Sequence, residues 1–177
     1  SAVRDGDHYV LNGVKQFITS GKNGDIAIVM AVTDKAAGKK GISAFVVPTA
    51  TPGYTVARIE DKLGQHASDT AQIVFEGCRV PVANRLGEEG GGWKCAKFLL
   101  DRERLAPAIV VRLERLLQQV AAQVQGSPHG TAAFAERLLL AEAEVRAARE
   151  LLLSAIDDEM NGRLRAAKSS ALKLHCS

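Results

Sequence analysis

The chain changes its pattern once, at the glycine run of residues 90–92. Before residue 88, short runs that alternate apolar and polar side chains are separated by turn residues, whereas from residue 93 apolar side chains recur at steps of three and four. The first pattern is typical of strands and the second of helices. We therefore predict an α+β fold, with an antiparallel β-barrel or sandwich domain over residues 1–87 and an incomplete α-helical bundle domain over residues 88–177.

The first part of the chain contains six or seven predicted strands. Asn12-Gly13 predicts a hairpin between residues 8–11 and 14–19, because this dipeptide tolerates the positive φ angles of a tight turn. Residues 26–32 form an uninterrupted apolar run, which predicts a central strand buried on both faces. Further strands are predicted at residues 42–47, 54–59 and 70–75, with the chain leaving the sheet at residues 78–81.

The second part is predicted to form three helices. The first begins at Trp93 and ends at residues 126–130, with a kink or a loosened turn at Pro107, which lacks an amide donor. The second helix is predicted over residues 134–157, and a third begins at Arg163. Long helices with short links predict a bundle. Because the chain ends inside the third helical pattern, we expect it to be a fragment of a longer protein.

Composition excludes several classes of protein. A net charge of +3 with scattered basic residues argues against a nucleic-acid partner. No window of about 18 apolar residues predicts a membrane span, and no signal peptide is visible at the start. Three cysteines without a CxxC pair argue against a disulfide framework or a zinc site, and no histidine pair has metal-ligand spacing. We expect a cytoplasmic protein without a metal.

One carboxylate lies close to the junction of the two patterns. Glu103 stands between Arg102 and Arg104 in the first predicted helix. Because ligands tend to bind in clefts between domains, we predict that the chemistry takes place at this junction. The alternative is that Glu103 forms an ordinary helix-surface ion pair with one of the two arginines, worth under about 1 kcal/mol.

Several segments, in order and in spacing, resemble the acyl-CoA dehydrogenase family. They read YVLNGVKQFITSG at residues 9–21, KGISAFVVP at 40–48, EDKLG at 60–64, SDT at 68–70, VFEGCRVP at 74–81 and LDRER at 100–104. The resemblance is strong over residues 8–110 and weak beyond. It implies the middle β-domain and the start of the C-terminal four-helix bundle of that family.

The resemblance also implies an activity. Members of the family are oxidoreductases of fatty acid metabolism that use FAD to remove two hydrogens across the α and β carbons of an acyl-CoA. They pass the electrons to an electron-transfer flavoprotein and work as oligomers, mostly dimers or tetramers. The resemblance thus implies FAD as cofactor, acyl-CoA as substrate, and a homo- or hetero-oligomer.

Two groups of site residues follow from the resemblance. Phe17, Ile18 and Thr19 match a segment that lies against the flavin, where Thr19 would bond the N5/O4 edge and Phe17 would pack near the ring. Glu103 matches the catalytic base of one branch of the family, whereas the other branch has its base beyond this chain. The alternatives are a plain strand end for residues 17–19 and the surface ion pair for Glu103.

The resemblance assigns a further set of residues to acyl-CoA binding. Asp101 and Arg104 would line the acyl-CoA cavity, Lys39 and Lys40 would touch the CoA tail, and Lys94 would line the acyl part. For each of them a solvated surface position is the open alternative.

Two departures from the family pattern leave other functions open. His66 replaces an arginine that usually follows Lys-Leu-Gly, and the Arg-x-x-Phe-Gly motif that binds the FAD pyrophosphate of a neighbouring subunit is absent from residues 125–137. A non-catalytic or half-site subunit of a hetero-oligomeric dehydrogenase is therefore one alternative. A flavin oxidase on the same fold and a stand-alone binding module are others.

Overall fold

The computed structural model describes residues 1–103, 105, 107–124, 127–128 and 130–176, with the side chains of 101, 107 and 108 left out. These residues form two compact units, Ser1–Lys97 and Phe98–Ser177. The first consists mainly of strands and the second of helices, so the predicted α+β class is confirmed. The predicted domain limits of 1–87 and 88–177 stay a prediction.

The first unit contains two antiparallel sheets that form a sandwich rather than a closed barrel. One sheet has the strand order β1-β2-β6-β5 and the other the order β3-β4-β7. Short 3-10 segments, Gly38–Gly41 and Val82–Asn84, lie before β4 and β7. The strands are β1 Ala2–Asp5, β2 His8–Thr19, β3 Ile26–Val32, β4 Ile42–Pro48, β5 Tyr54–Ile59, β6 Thr70–Pro81 and β7 Arg85–Leu86.

The core of this unit lies between the two sheets. The alternating residues of β6 that face inward, Ala71, Ile73 and Phe75, are buried. The rings of Tyr9 and Phe45, one from each sheet, meet edge to face at 4.9 Å. Each large apolar side chain buried in this way stabilises the fold by about 1.5–3 kcal/mol. This core fixes the register of the strands and therefore the positions of the side chains described below.

The hairpin predicted at Asn12-Gly13 is wrong. Strand β2 runs unbroken through these residues and pairs with β6, while the observed hairpin joins β1 to β2 through Gly6, whose φ is +62°. The Asn12 side chain accepts a hydrogen bond of 2.8 Å from the Gly77 amide. The dipeptide lies at a bulge between two long paired strands. In the same way β6 continues to Pro81, so the predicted departure from the sheet at residues 78–81 is also wrong.

The central position predicted for residues 26–32 is also wrong. Strand β3 pairs only with β4 and forms the edge of its sheet. Val29 and Ala31 face the core, whereas Ile26 and Ile28 are 63% and 59% exposed. The apolar residues on both faces of the strand predicted that both faces are buried. In the structure only the face that carries Val29 and Ala31 is covered.

The helices are α1 Gly92–Glu103, α2 Pro107–Val124, α3 Ala132–Met160 and α4 Ala166–His175. The single first helix that was predicted, with a kink or a loosened turn at Pro107, is wrong: α1 ends at Glu103 and a separate helix, α2, begins at the proline, so the described residues form four α-helices and not three. At a first helical position the missing amide hydrogen costs nothing. Thr131 caps α3 by accepting a 3.2 Å bond from the Phe134 amide. Gly162, with a φ of +67°, follows the end of α3.

The second unit has a core of its own. Val110 of α2, Ala148, Leu152 and Ala155 of α3, and Leu172 of α4 are buried together. Other large apolar side chains of these helices are exposed, among them Leu116, Leu139, Leu140 and Leu174.

Among the helices that the structure describes, none has both the length and the apolar character needed to cross a bilayer. The three cysteines are free, and burial raises the pKa of the Cys78 thiol.

Candidate functional site

The end of β2 contains a bulge at the segment predicted to contact a flavin. Lys15 pairs with Ile73 and Ile18 pairs with Ala71, so two residues of β2, Gln16 and Phe17, lie opposite one residue of β6. Such bulges bend a strand and re-aim its side chains. Phe17 has a φ of +58°, in the left-handed region, and its side chain is 70% exposed. A bulky residue adopts this conformation at a cost of about 1–3 kcal/mol, and such outliers cluster at functional sites.

The three predicted flavin residues lie together on this strand end. Ile18 packs against the core of the sandwich. Phe17 before it and Thr19 after it are exposed. The strand therefore presents an aromatic ring and a hydroxyl group to solvent while the residue between them anchors the backbone.

The chain after Thr19 is held firmly. Asp69 accepts 2.9 Å hydrogen bonds from the Lys22 amide and from the Asn23 side chain. The Tyr54 hydroxyl donates a 2.8 Å bond to the Gly21 carbonyl. Burial, and secondly the charge of Asp69, raise the pKa of Tyr54 above its ordinary value. The chain that follows Phe17 and Thr19 is thus anchored to Asp69 and Tyr54.

A chain of polar side chains lies beside the bulge and was missed by sequence reasoning. Gln72 donates to the Gln16 side-chain oxygen at 2.5 Å, and Gln16 in turn donates to Glu60. Arg58 donates to both carboxylate oxygens of Glu60 at 2.8 and 3.0 Å. No local pattern marks these residues, because they meet only through the pairing of β2, β5 and β6. Glu60 was the one member of this chain of side chains that sequence reasoning could have singled out, because it is the first residue of the EDKLG segment.

The lysines predicted to bind the CoA tail lie near the glycine run. Lys39 Nζ is 5.4 Å from the centroid of the Trp93 ring, a cation–π distance. Lys40 and Lys94 are exposed, as is Lys39. The structure therefore brings Lys39 to the start of α1, against the residue that precedes Lys94 in the chain.

Glycine is required in this region by close backbone packing. A Cβ atom on Gly90 would lie 2.1 Å from the Lys40 carbonyl oxygen, and one on Gly92 would lie 2.6 Å from the Ser43 carbonyl carbon. The Gly90 amide also donates a 2.9 Å bond to the Ser43 hydroxyl. The glycine run therefore lets the start of α1 approach β4, which sets Trp93 beside Lys39.

The predicted catalytic carboxylate is in the second unit. Glu103 is the last residue of α1 and is exposed. Its neighbour Arg102 bonds Glu159 at 2.7 Å and lies over the Phe98 ring at 3.7 Å. Arg102 therefore forms its ion pair with Glu159 of α3 and not with Glu103. Of the other residues predicted there, Arg104 lies outside the described residues, and Asp101 is described only as helical backbone.

Two further features bear on the predictions, the position of His66 and the grouping of metal-ligating side chains. His66 is exposed and donates a 2.6 Å bond from Nε2 to the Lys62 carbonyl. Within the described part of the chain, no three His, Cys, Asp or Glu side chains are grouped so that they could hold a metal ion.

Comparison with known proteins relates the first part of the chain to one protein family. Residues 1–78 match the model of the acyl-CoA dehydrogenase middle domain. The first 78 residues are thus similar to the middle domain of acyl-CoA dehydrogenases. The family resemblance read from the sequence is therefore confirmed.

Relatives and solved structures agree with this assignment. The short-chain specific acyl-CoA dehydrogenase of Megasphaera elsdenii is 49% identical over 104 residues, which are 59% of this chain and 27% of that protein. The solved butyryl-CoA dehydrogenase of the same organism superposes with a TM-score of 0.87 at 33% identity, covering 99% of this chain and 48% of the other.

A third match is a structure described as the electron transferring flavoprotein of Acidaminococcus fermentans. It has a TM-score of 0.94 at 35% identity, and it covers 99% of this chain and 48% of that one. The chain thus spans about a quarter of the length of the curated relative and about half of the two solved chains. The structural matches include the helical region, where the sequence resemblance is weak.

Proposed function

We propose that this chain is part of an FAD-dependent acyl-CoA dehydrogenase that introduces an α,β double bond into an acyl-CoA thioester. The observation that carries the proposal is the bulge at the end of β2, which holds Phe17 in a left-handed conformation with its ring exposed next to the exposed Thr19. The match of residues 1–78 to the acyl-CoA dehydrogenase middle domain supports it. The activity belongs to the whole protein, of which this chain is a part.

The strand end of β2 fits the chemistry of a flavin. An isoalloxazine ring needs an apolar or aromatic surface and hydrogen-bonding groups at its edge, and Phe17 and Thr19 provide one of each. Bound FAD supplies the acceptor for the hydride that leaves the β carbon. Thr19 would orient the flavin through its hydroxyl, and Phe17 would cover part of the ring and exclude water.

Glu103 is the proposed base that takes the α proton. A carboxylate performs this task when bound groups desolvate it and so raise its pKa toward that of the reaction. In this chain Glu103 is exposed, so the desolvation must come from the substrate and from the rest of the site. The pairing of Arg102 with Glu159 supports the proposal, because that cation is engaged with another carboxylate. Hydrogen bonds to the thioester oxygen must then stabilise the developing enolate.

Lys39 and Lys40 are proposed to bind the anionic part of coenzyme A, and Lys94 is proposed to line the acyl part of the cavity. All three are exposed and positively charged, and lysine is a common partner of phosphate groups. The cation–π contact with Trp93 limits the motion of Lys39. Asp101 and Arg104 are proposed to line the acyl-CoA cavity on the strength of the family pattern alone.

We also propose an electron-transfer flavoprotein as the electron acceptor, a cytoplasmic location and an oligomer of dimer or tetramer size. The oligomer can be homomeric or heteromeric. A hetero-oligomer would account for the missing Arg-x-x-Phe-Gly motif, because a second subunit could then supply the contact with the FAD pyrophosphate.

The test is the visible absorbance of the full-length protein under anaerobic conditions. We expect flavin bands that bleach when acyl-CoA thioesters are added, and we expect Glu103→Gln to keep the flavin and to lose the bleaching. Glu136→Gln, at another exposed glutamate of a helix, is the control and should bleach like the natural protein. A colourless protein that takes up no added FAD would overturn the proposal and favour the half-site subunit. Oxygen uptake without another acceptor would indicate an oxidase.

A further inference from the structure

We propose that Gln16 is a positioning residue that holds the β2 bulge, and with it the outward-facing Phe17, through hydrogen bonds to Gln72 and Glu60. The link to catalysis rests on the proposed function, because it assumes that Phe17 contacts the flavin. The conformational part of the proposal rests on the contacts of Gln16 and Phe17 within the chain and is tested separately.

The argument starts from the conformation of Phe17. A φ of +58° is unfavourable for a bulky aromatic residue, because its Cβ then crowds the backbone. Burial of the ring does not offset this cost, since the side chain is 70% exposed. The conformation must therefore be stabilised by the groups around the bulge.

The backbone on both sides of the bulge is anchored. Before it, the Lys15 side chain donates a 2.7 Å bond to the Met30 carbonyl of β3. After it, Ile18 packs into the core of the sandwich. These contacts fix where the bulge lies but do not involve its first residue, Gln16.

The Gln16 side chain connects the bulge to the strand opposite. Its oxygen accepts a 2.5 Å hydrogen bond from Gln72, the single residue that the bulge faces. Its nitrogen donates to the carboxylate of Glu60. Glu60 is itself held in two ways, by Arg58 at 2.8 and 3.0 Å and by its own amide, which donates to the Thr70 carbonyl at 2.7 Å.

The hydrogen bonds that join Gln72, Gln16 and Glu60 all run toward Glu60, and position 16, in the middle, requires a side chain that both accepts and donates. Arg58 and Gln16 both donate to Glu60, and Gln72 donates to Gln16. Position 16 therefore needs an acceptor at one atom and a donor at the other, which an amide provides. The Glu60 side chain is only 14% exposed, so loss of the Gln16 donor removes a bond that water replaces poorly.

The consequence is a Phe17 ring that is oriented before any ligand arrives. Orienting a contact residue in advance removes an ordering cost from binding and strengthens affinity without changing the chemistry. Loss of the Gln16 bonds should therefore weaken FAD binding.

The first test uses the flavin-free chain. In NMR spectra we expect the amide-to-Hα coupling and carbon shifts of Phe17 to report a positive φ, and we expect Gln16→Ala to move them toward extended values. Phe17→Gly should raise the denaturation midpoint, because glycine adopts this φ without strain. Val14→Gly, at a site of the same strand that is 58% exposed, should lower it. An extended Phe17, or a Phe17→Gly variant as destabilised as Val14→Gly, overturns the proposal.

The second test measures FAD affinity of the full-length protein by fluorescence titration. We expect Gln16→Ala to weaken binding by about tenfold, a factor that corresponds to about 1.4 kcal/mol. Gln16→Glu should also weaken it, because it sets two carboxylates together. The double variant Gln16→Glu/Glu60→Gln restores one amide and one carboxylate and should recover most of the affinity. Gln118→Ala, at an exposed position of α2, is the control.

The two proposals fail in different ways. A natural protein that binds no FAD overturns the proposed function, and the flavin-free measurements then decide the role of Gln16. A natural protein that binds FAD with the same affinity as Gln16→Ala overturns the positioning role alone. If the double variant Gln16→Glu/Glu60→Gln binds FAD no better than Gln16→Glu, the positioning role is likewise overturned.

Discussion

Tyr9 and Glu89 are 80 residues apart in sequence, and the Tyr9 hydroxyl donates a 2.8 Å hydrogen bond to Oε2 of Glu89. Arg85 joins the pair by donating to the Tyr9 oxygen at 2.9 Å. Tyr9 itself is fully buried. The contact fastens the loop before α1 to strand β2. It therefore links the two ends of the first unit, Ser1–Lys97 (the β-unit).

Removing the Tyr9 hydroxyl should destabilise the β-unit. Tyr9→Phe loses hydrogen bonds to a carboxylate and from a guanidinium, and we expect a loss of about 1–2 kcal/mol, since Glu89 is partly exposed. The measurement is urea denaturation followed by fluorescence of Trp93, the one tryptophan of the chain.

Tyr54→Phe is the matched control for Tyr9→Phe. Its hydroxyl bonds a neutral carbonyl, that of Gly21, so a loss of only about 1 kcal/mol is expected. A Tyr9→Phe variant as stable as the natural chain would contradict the structural role given to the Tyr9–Glu89 bond.

Gly41→Ala should disrupt the loop that carries Lys39 and Lys40. A Cβ atom at this position would lie 1.7 Å from the Asp34 carbonyl oxygen, which is backbone and cannot move aside freely. We expect a loss of at least about 2 kcal/mol in the same denaturation experiment. Gly64→Ala is the control, because a Cβ there has no atom within 4 Å, and it should stay within about 0.5 kcal/mol of the natural chain. Equal stability of the two variants would contradict the close packing at Gly41.

Features that depend on local covalent chemistry could be predicted from the sequence. Pro107 interrupts the helical pattern because it lacks an amide hydrogen, and that is independent of the surroundings. The change of pattern at residues 90–92 likewise marks the change from strands to helices. By contrast, Asn12-Gly13 has the composition of a turn, yet the pairing of β2 with β6 keeps the strand continuous.

The geometry of the candidate site could not be predicted in the same way. The segment of residues 17–19 was found by family resemblance, but the positive φ of Phe17 follows from the register on either side of it, with Lys15 opposite Ile73 and Ile18 opposite Ala71. Gln16, Gln72 and Glu60 are distant in sequence and meet only in the folded sheet. The same limit applies to Ile28, whose exposure depends on which strand pairs with β3.

The helical unit should lose stability in acid partly through Asp158. A hydrogen bond from Lys168 holds the pKa of Asp158 below its ordinary value of 3.8; burial opposes this, and the charges of Lys168 and Arg163 add to it. A pKa that is lower in the folded state means that the stabilisation is present above about pH 4 and is lost as the pH falls through the folded value. Asp158→Asn should therefore flatten the acid side of the stability profile.

This pH dependence can be measured by urea denaturation followed by far-ultraviolet circular dichroism between about pH 2 and pH 6. Lys168→Met removes the donor and should flatten the profile in the same way. A Lys168→Met variant with the natural acid dependence would show that the Lys168 bond is not the cause.

Arg102 should couple to Glu159 and not to its sequence neighbour Glu103. The Arg102–Glu159 distance is 2.7 Å, but the two side chains are 43% and 31% exposed, so solvent screens the pair. We expect a double-mutant cycle with Arg102→Gln and Glu159→Gln to give a coupling energy under about 1 kcal/mol. High salt should reduce it further, because exposed charges are screened.

The parallel cycle with Arg102→Gln and Glu103→Gln should give a coupling energy close to zero. The arginine is occupied by Glu159 and by the Phe98 ring, so Glu103 gains little from it. Both cycles are read from urea denaturation followed by circular dichroism of the helices. A larger coupling for Glu103 than for Glu159 would mean that Glu103 forms a helix-surface ion pair with Arg102, and its proposed role as the base would lose its structural support.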